Sequence, residues 1–282
     1  MAEKFFTPHG VEMKNNDTEV KTPEISTGYD KLDDVIRDLG KAKVCIIAGK
    51  PSLGKTALAV SIAKNVAIDQ RIPTLFFSME MSTQQLTRRI VSNLCELETE
   101  KIKTNTFDEK EHEIYEEGMK RIKNSPLLID DTPCVSISEL TLKVRQMVSE
   151  HGTRLVIVDY LNLMNRAGSC YYEEYTKAVH SMKELALELN ITFIVCTMLS
   201  KRWVGERKRP GLSTIKKYYV NLEKEADIIL CIHRPEYFQI MKFANEKGLG
   251  IAEIIVAQNA FGENKSFHLF FRPLFSRFYN QK

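Results

Sequence analysis

Residues 43–68 read KVCIIAGKPSLGKTALAVSIAKNVAI. A short apolar run leads into a loop with glycines at 49 and 54. Lys55 and Thr56 then open a segment with the apolar spacing of a helix. Gly49 to Thr56 fits G-x-x-x-x-G-K-[ST], in the strand–loop–helix setting that this pattern requires. A backbone that wraps a phosphate needs such glycines so that successive N–H groups turn inward. The helix N-terminus adds partial positive charge. Lys55 is placed to reach the outer phosphates of a nucleotide, and the Thr56 hydroxyl to ligate Mg²⁺. Gly49, Pro51, Ser52, Gly54, Lys55, Thr56 and Ala57 are therefore the predicted nucleotide-binding residues.

Beyond this stretch, short apolar runs alternate with helix-like segments. TLFFSM (74–79), PLLIDD (126–131), RLVIVDY (154–160), ITFIVCT (191–197), ADIILCI (226–232) and IAEIIVA (251–257) read as strands. Segments 82–95, 108–124 and 136–152 read as helices, with Ser82 and Ser138 as candidate N-caps and Gly152 as a stop. Near-continuous apolar strands separated by helices predict an α/β fold: a mostly parallel sheet with helices on both faces. IAEIIVA and KSFHLFF, joined through a Gly-containing turn, predict an antiparallel hairpin at the end. Residues 1–24 are polar and aperiodic and read as a flexible arm, leaving 25–282 as the folded domain.

Several function classes drop out. No apolar run reaches the ~20 residues of a membrane span, and residues 1–21 lack the apolar core of a signal peptide. A cytoplasmic protein with no membrane partner is expected. The six cysteines have neither C-x-x-C nor Cys/His ligand spacing, which argues against a zinc site or disulfide frame. A formal net charge of +3 does not by itself indicate nucleic acid.

Two carboxylates end predicted strands where the same crevice would open. Asp159 closes RLVIVD and is the candidate to hold the metal; Glu80 follows TLFFSM and is the candidate to orient or deprotonate an attacking water.

With these residues in view, the chain resembles the C-terminal motor domain of DnaB-type replicative helicases, a RecA-like P-loop NTPase fold. The matching stretches are STGYDKLDDVI (26–36), GKPSLGKTALAVSIAKNVA (49–67), FFSMEMSTQQLTRRI (76–90), LLIDDTPCVSISEL (127–140) and LVIVDYLNLM (155–164). EKEADIIL (223–230), GIAEIIVAQ (250–258) and SRF (276–278) continue the order. The resemblance implies an ATP- and Mg²⁺-dependent motor acting on single-stranded DNA in DNA replication. It also implies a homo-oligomeric ring, usually a hexamer, or a replication-protein partner. In those terms Lys55 and Thr56 bind phosphate and metal, Asp159 holds the metal and Glu80 is the catalytic base.

The chain also departs from the family. A glutamine that senses the γ-phosphate is replaced by Met198, whose thioether cannot donate a hydrogen bond. The family's K-Q-R-N-G, with its Lys and Arg fingers, becomes QNAFG, placing Gln258 and Ala260 in those positions. Lys265 and Arg272 are the candidate substitutes. The family's D-L-R-E-S-G channel loop becomes TIKKYYVN (214–221). The amino-terminal domain and linker helix have no match in residues 1–24, so the sequence alone does not predict ring assembly. These departures motivate a second reading, a degenerate paralogue acting as a low-turnover nucleotide-binding regulator or assembly factor.

Residues 200–219 concentrate cations and aromatics. Lys201, Arg202, Arg207, Lys208, Arg209, Lys216 and Lys217 are the predicted DNA-binding residues, with Trp203, Tyr218 and Tyr219 available for base stacking. Gly205, Pro210 and Gly211 predict that this segment is a mobile loop.

Overall fold

A computed structural model describes residues 24–36, 39–164, 171–199, 208–234 and 250–281, with backbone only at 171–172. Nine described strands form one sheet: β1 (Val44–Gly49), β2 (Thr74–Ser78), β3 (Leu127–Asp130), β4 (Leu155–Asp159), β5 (Thr192–Met198), β6 (Ile228–His233), β7 (Gly250–Asn259), β8 (Ser266–Arg272) and β9 (Arg277–Tyr279). Their order is β3-β2-β4-β5-β1-β6-β7-β8-β9. Every pairing from β3 to β6 is parallel, and β6 through β9 are antiparallel. The expected hairpin is β7–β8. The three-residue edge strand β9, which follows it, was not foreseen.

Nine described helices accompany the sheet: α1 (Asp30–Ile36), α2 (Lys55–Ala63), α3 (Thr83–Cys95), α4 (Thr99–Thr104), α5 (Glu109–Lys123), α6 (Ile137–His151), α7 (Tyr171–Leu189), α8 (Leu212–Tyr218) and α9 (Leu222–Glu225). Alternate residues of each central strand feed opposite layers. From β1, Cys45 and Ile47 join Leu32, Leu58, Ile62, Leu86 and Ile90 on one face. Val44, Ile46 and Ala48 join Leu140, Val144, Val179, Met182 and Ile215 on the other. Full burial of such a side chain contributes ~1.5–3 kcal/mol, so a one-residue slip of β1 would exchange both sets. Helices therefore cover both faces, and the sheet's continuous apolar strands follow from that.

Helix starts are chemically marked. Ser82 and Gln85 form a reciprocal capping box on α3, as expected for Ser82. On α6 the cap is Ser136, not Ser138. The Ser136 hydroxyl accepts the Glu139 N–H at 3.2 Å while the Glu139 carboxylate accepts the Ser136 N–H at 2.9 Å. Only Ser136 has a carboxylate three residues on, which is what the reciprocal bond needs. Gly152 closes α6 in the left-handed conformation, φ 64°.

The 26–36 stretch is pinned by Asp33, whose carboxylate accepts from the Thr27 N–H at 2.8 Å and the Thr27 hydroxyl at 2.7 Å. Gly28 has φ +79°, and a Cβ there would lie 2.2 Å from Asn65 Nδ2. Only glycine fits this close approach to the segment that continues α2.

Candidate nucleotide site

The loop Lys50–Gly54 connects β1 at the middle of the sheet to α2. Parallel neighbours β5 and β6 flank β1, so the loop opens at the carboxyl ends of several strands. Ser52 at φ 62° and Gly54 at φ 104° turn the chain sharply before α2 begins at Lys55. A Cβ on Gly54 would come 3.1 Å from Phe278 Cζ, and one on Gly49 would come 3.3 Å from Lys55 Cγ. The two motif glycines thus answer to packing around the loop as well as to its curvature.

Lys55 is buried, and its ammonium donates to the Lys50 carbonyl at 2.9 Å. Burial lowers its pKa, while Cys196, Asp159 and Glu80 favour the charged form. Asp159 is 1% exposed, and neither carboxylate oxygen makes a hydrogen bond of regular geometry. Burial raises its pKa, against the influence of the nearby Thr56 hydroxyl and Lys55 ammonium. A buried carboxylate left in this state wants a cation.

Backbone pairing fixes the second carboxylate. Ser78 pairs in register with Asp159, and the Met79 N–H donates to the Asp159 carbonyl at 3.0 Å. Glu80 follows directly, is exposed, and acts electrostatically on both Lys55 and Asp159. The structure therefore gathers Gly49, Gly54, Lys55, Thr56, Asp159 and Glu80, with Pro51, Ser52 and Ala57 in the loop and first helical turn. No cluster of three or more His, Cys, Asp or Glu able to hold a metal occurs among the described residues. Mg²⁺ here would need Thr56, Asp159 and phosphate oxygens together, which is how that ion is usually held.

The departures have structural partners. Met198 stands in register beside Gly49, and its N–H donates to Asn162 Oδ1 at 2.8 Å. Gln258 is engaged within its own chain, its amide donating to the carbonyls of Glu223 at 2.8 Å and Ala226 at 2.7 Å. Ala260 is exposed in the turn after β7. Of the candidate substitutes, Lys265 pairs with Glu263 at 2.8 Å, and Arg272 lies 3.8 Å from Glu96. Arg234, beyond β6, stacks over the Phe271 ring at 4.4 Å from its centroid.

Lys201, Arg202, Trp203 and Arg207 lie outside the described residues, as does residues 1–23 of the expected arm. The expected loop is in part a helix: 212–218 form α8, which buries Thr214 and Ile215 against the core. Lys208, Lys216 and Lys217 are exposed, with Lys216 3.9 Å from Glu223. Arg209 is committed to Glu253, its Nε and Nη2 donating at 2.9 and 2.6 Å. Burial pulls the Glu253 pKa up, but Arg209 and Ser266 outweigh it and hold the carboxyl below its ordinary value. Tyr219 is 2% exposed and is not available to stack on a base. Its burial, and the roles of Asn162 and Thr197 beside it, were missed because only tertiary packing reveals them.

Sheet order and loop together define a RecA-like P-loop α/β fold. The family described as "DnaB-like helicase C terminal domain" matches residues 24–280, and this chain belongs to it. Among similar proteins, a "Probable replicative DNA helicase" of Trieres chinensis is 31% identical over 98% of this chain and 61% of its own length. "Replicative DNA helicase DnaB" of Rickettsia typhi is 30% identical over 99% of this chain and 63% of its own. The chain thus spans somewhat under two thirds of these relatives. The solved "ATPase Domain of G40P" superposes with TM-score 0.83 at 26% identity, covering 92% of this chain and 91% of that one. A DnaB-like replicative helicase, solved in a study of its interactions with primase, also gives 0.83 at 26%, covering 92% and 62%. No described helix is long and apolar enough to cross a membrane.

Proposed function

We propose that this chain binds ATP with Mg²⁺ at the β1–α2 loop and couples its hydrolysis to movement along single-stranded DNA during replication. The observation that carries the nucleotide half is the buried carboxylate of Asp159, which has no hydrogen bond of regular geometry, beside Lys55 and Thr56. The inward amides and Lys55 bind the phosphates, and Thr56 with Asp159 would hold the metal. Bound there, Mg²⁺ supplies positive charge that offsets the phosphate oxygens. Glu80, exposed at the crevice, orients water for attack. The names of the relatives and the exposed Lys208, Lys216 and Lys217 support the DNA half.

In this reading turnover is slow. A finger cation is worth ~10³–10⁵ in rate where it operates, and Gln258 and Ala260 supply none. The engagement of Gln258 inside its own chain is the observation that motivates the second reading, a low-turnover nucleotide-binding regulator. Ring assembly or a replication partner would have to supply what is lacking. The test is the ATPase rate with and without single-stranded DNA, with Lys55→Ala as control. DNA-stimulated turnover that Lys55→Ala abolishes supports the motor; nucleotide binding without turnover supports the regulator. Failure to bind nucleotide rejects both.

A further inference from the structure

The phosphate loop and the lysine-bearing helix α8 are joined through one buried hydroxyl. Tyr219, immediately after α8, donates its O–H to the Met198 carbonyl at 2.6 Å. The same oxygen accepts the Asn162 amide at 3.0 Å and lies 2.8 Å from the Thr197 hydroxyl, whose one proton Asn162 Oδ1 can also accept at 3.1 Å. Asn162 in turn accepts the Met198 N–H at 2.8 Å. On the far side, Tyr175 packs edge-on against the Tyr219 ring with centroids 6.0 Å apart, and its hydroxyl donates to the Asn162 carbonyl at 3.3 Å.

The strand end that this hydroxyl holds lies against the phosphate loop. Met198 pairs with Gly49, and the next residue, Leu199, donates its N–H to the Gly49 carbonyl at 3.0 Å. Gly49 is the last residue of β1, directly before the loop, and Lys55 lies against it. At the other end, Tyr219 N–H donates to the Ile215 carbonyl at 2.8 Å, so the ring moves with α8. Lys216 and Lys217 are exposed on that helix. A buried hydroxyl with three partners resists partial displacement, because each broken bond leaves a polar group without water to replace it. Such a contact favours two discrete arrangements over a continuum.

We propose that Tyr219 is a positioning residue that couples occupancy of the phosphate loop to strand engagement at α8. Its hydroxyl ties the helix to the backbone of Met198, beside Gly49 where β1 gives way to the loop. The inference rests on the nucleotide and DNA reading above and specifies how the two halves communicate.

The test is a coupling factor: the affinity for a fluorescent ATP analogue measured with and without a single-stranded oligonucleotide. In the unaltered chain the factor is expected to be about tenfold, within the usual 5–150-fold range. Tyr219→Phe keeps the ring and removes only the hydroxyl. It is expected to bring the factor to within about twofold of unity, with affinity for each ligand alone unchanged and a lower thermal midpoint, because three buried polar groups lose a partner. A purely structural role would lower the midpoint and leave the coupling factor at its unaltered value. Thr197→Val, which removes one partner of the same oxygen, shows a smaller loss in the same direction and serves if Tyr219→Phe does not fold. Unchanged coupling in both variants overturns the proposal, as does a factor of one in the unaltered chain when both ligands bind. A chain that binds no analogue at all rejects the nucleotide reading itself, a separate result that removes the proposal with it.

Discussion

The β1–α2 loop and the turn after β7 have fared differently. In the loop, every residue type that the phosphate chemistry asks for is present, and the fold brings Asp159 and Glu80 to it. At the end of β7, just before that turn, Gln258 stands where the resemblance places a lysine, and its amide is spent on two carbonyls of its own chain. A grip made by backbone and short side chains within one subunit is held by packing. A finger that must reach outward has no such support, and here its position has been absorbed into the β6–β7 region.

The most damaging challenge to the intact half is Lys55→Ala. It should lower any turnover by ~10²–10³, the scale of losing one charge-stabilising donor, with analogue binding weakened in parallel. Retained turnover in a phosphate-release assay would detach the activity from this loop. The departing positions are challenged next, by Met198→Gln with Gln258→Lys and Ala260→Arg. If only those groups are missing, steady-state ATPase should rise at least ~10-fold, a small part of what a finger can supply. Chemical denaturation of the same variant should show a loss of about 1–3 kcal/mol, because the Glu223 and Ala226 carbonyls lose their donor.

Gly28→Ala addresses the frame beneath the loop. The positive φ and the approach of Asn65 predict a destabilisation of about 1–3 kcal/mol, read as a lower urea midpoint. A neutral outcome would mean that the 26–36 stretch yields easily.

Asp159→Asn separates function from stability. Asp159 has its folded pKa raised by burial. Its ionisation therefore costs folding stability as pH rises through the ordinary carboxylate range and beyond, and nothing at lower pH. The amide variant should melt higher than the unaltered protein at neutral pH without metal, converge with it in acid, and lose Mg²⁺-dependent nucleotide affinity. A lower melting point at neutral pH would contradict this account of the site. The smallest effect is expected from Lys217→Ala, which should reduce the salt dependence of DNA binding by about one phosphate contact. Arg209→Ala, whose guanidinium is paired with Glu253, should leave that slope unchanged and lower stability instead.

Much of this was legible in the sequence, for physical reasons that vary along it. The central strands announce themselves because both their faces are buried, so Val44 to Ala48 is apolar throughout. The phosphate loop is legible because its chemistry permits few substitutes. Strand β9 was not legible: three residues, Arg277, Phe278 and Tyr279, carry no period. Helix α8 was hidden by the preceding Pro210 and Gly211, which mark a turn but do not forbid a helix directly after it. The cap at Ser136 was readable from Glu139 three residues on, a pairing overlooked in favour of the nearer serine. In the sequence Tyr219 reads as a ring beside lysines, available for base stacking. Its burial follows from Ile215 and Leu222 turning the same way into the core, which composition does not disclose.

Phe278 touches the inner side of Gly54 from the edge of the sheet, far along the chain from the motif it supports. A fragment carrying the whole phosphate-loop signature but stopping before Phe278 would keep the letters and lose the wall behind them. For dissecting such proteins, a boundary placed before that aromatic removes a packing contact of the loop's last glycine.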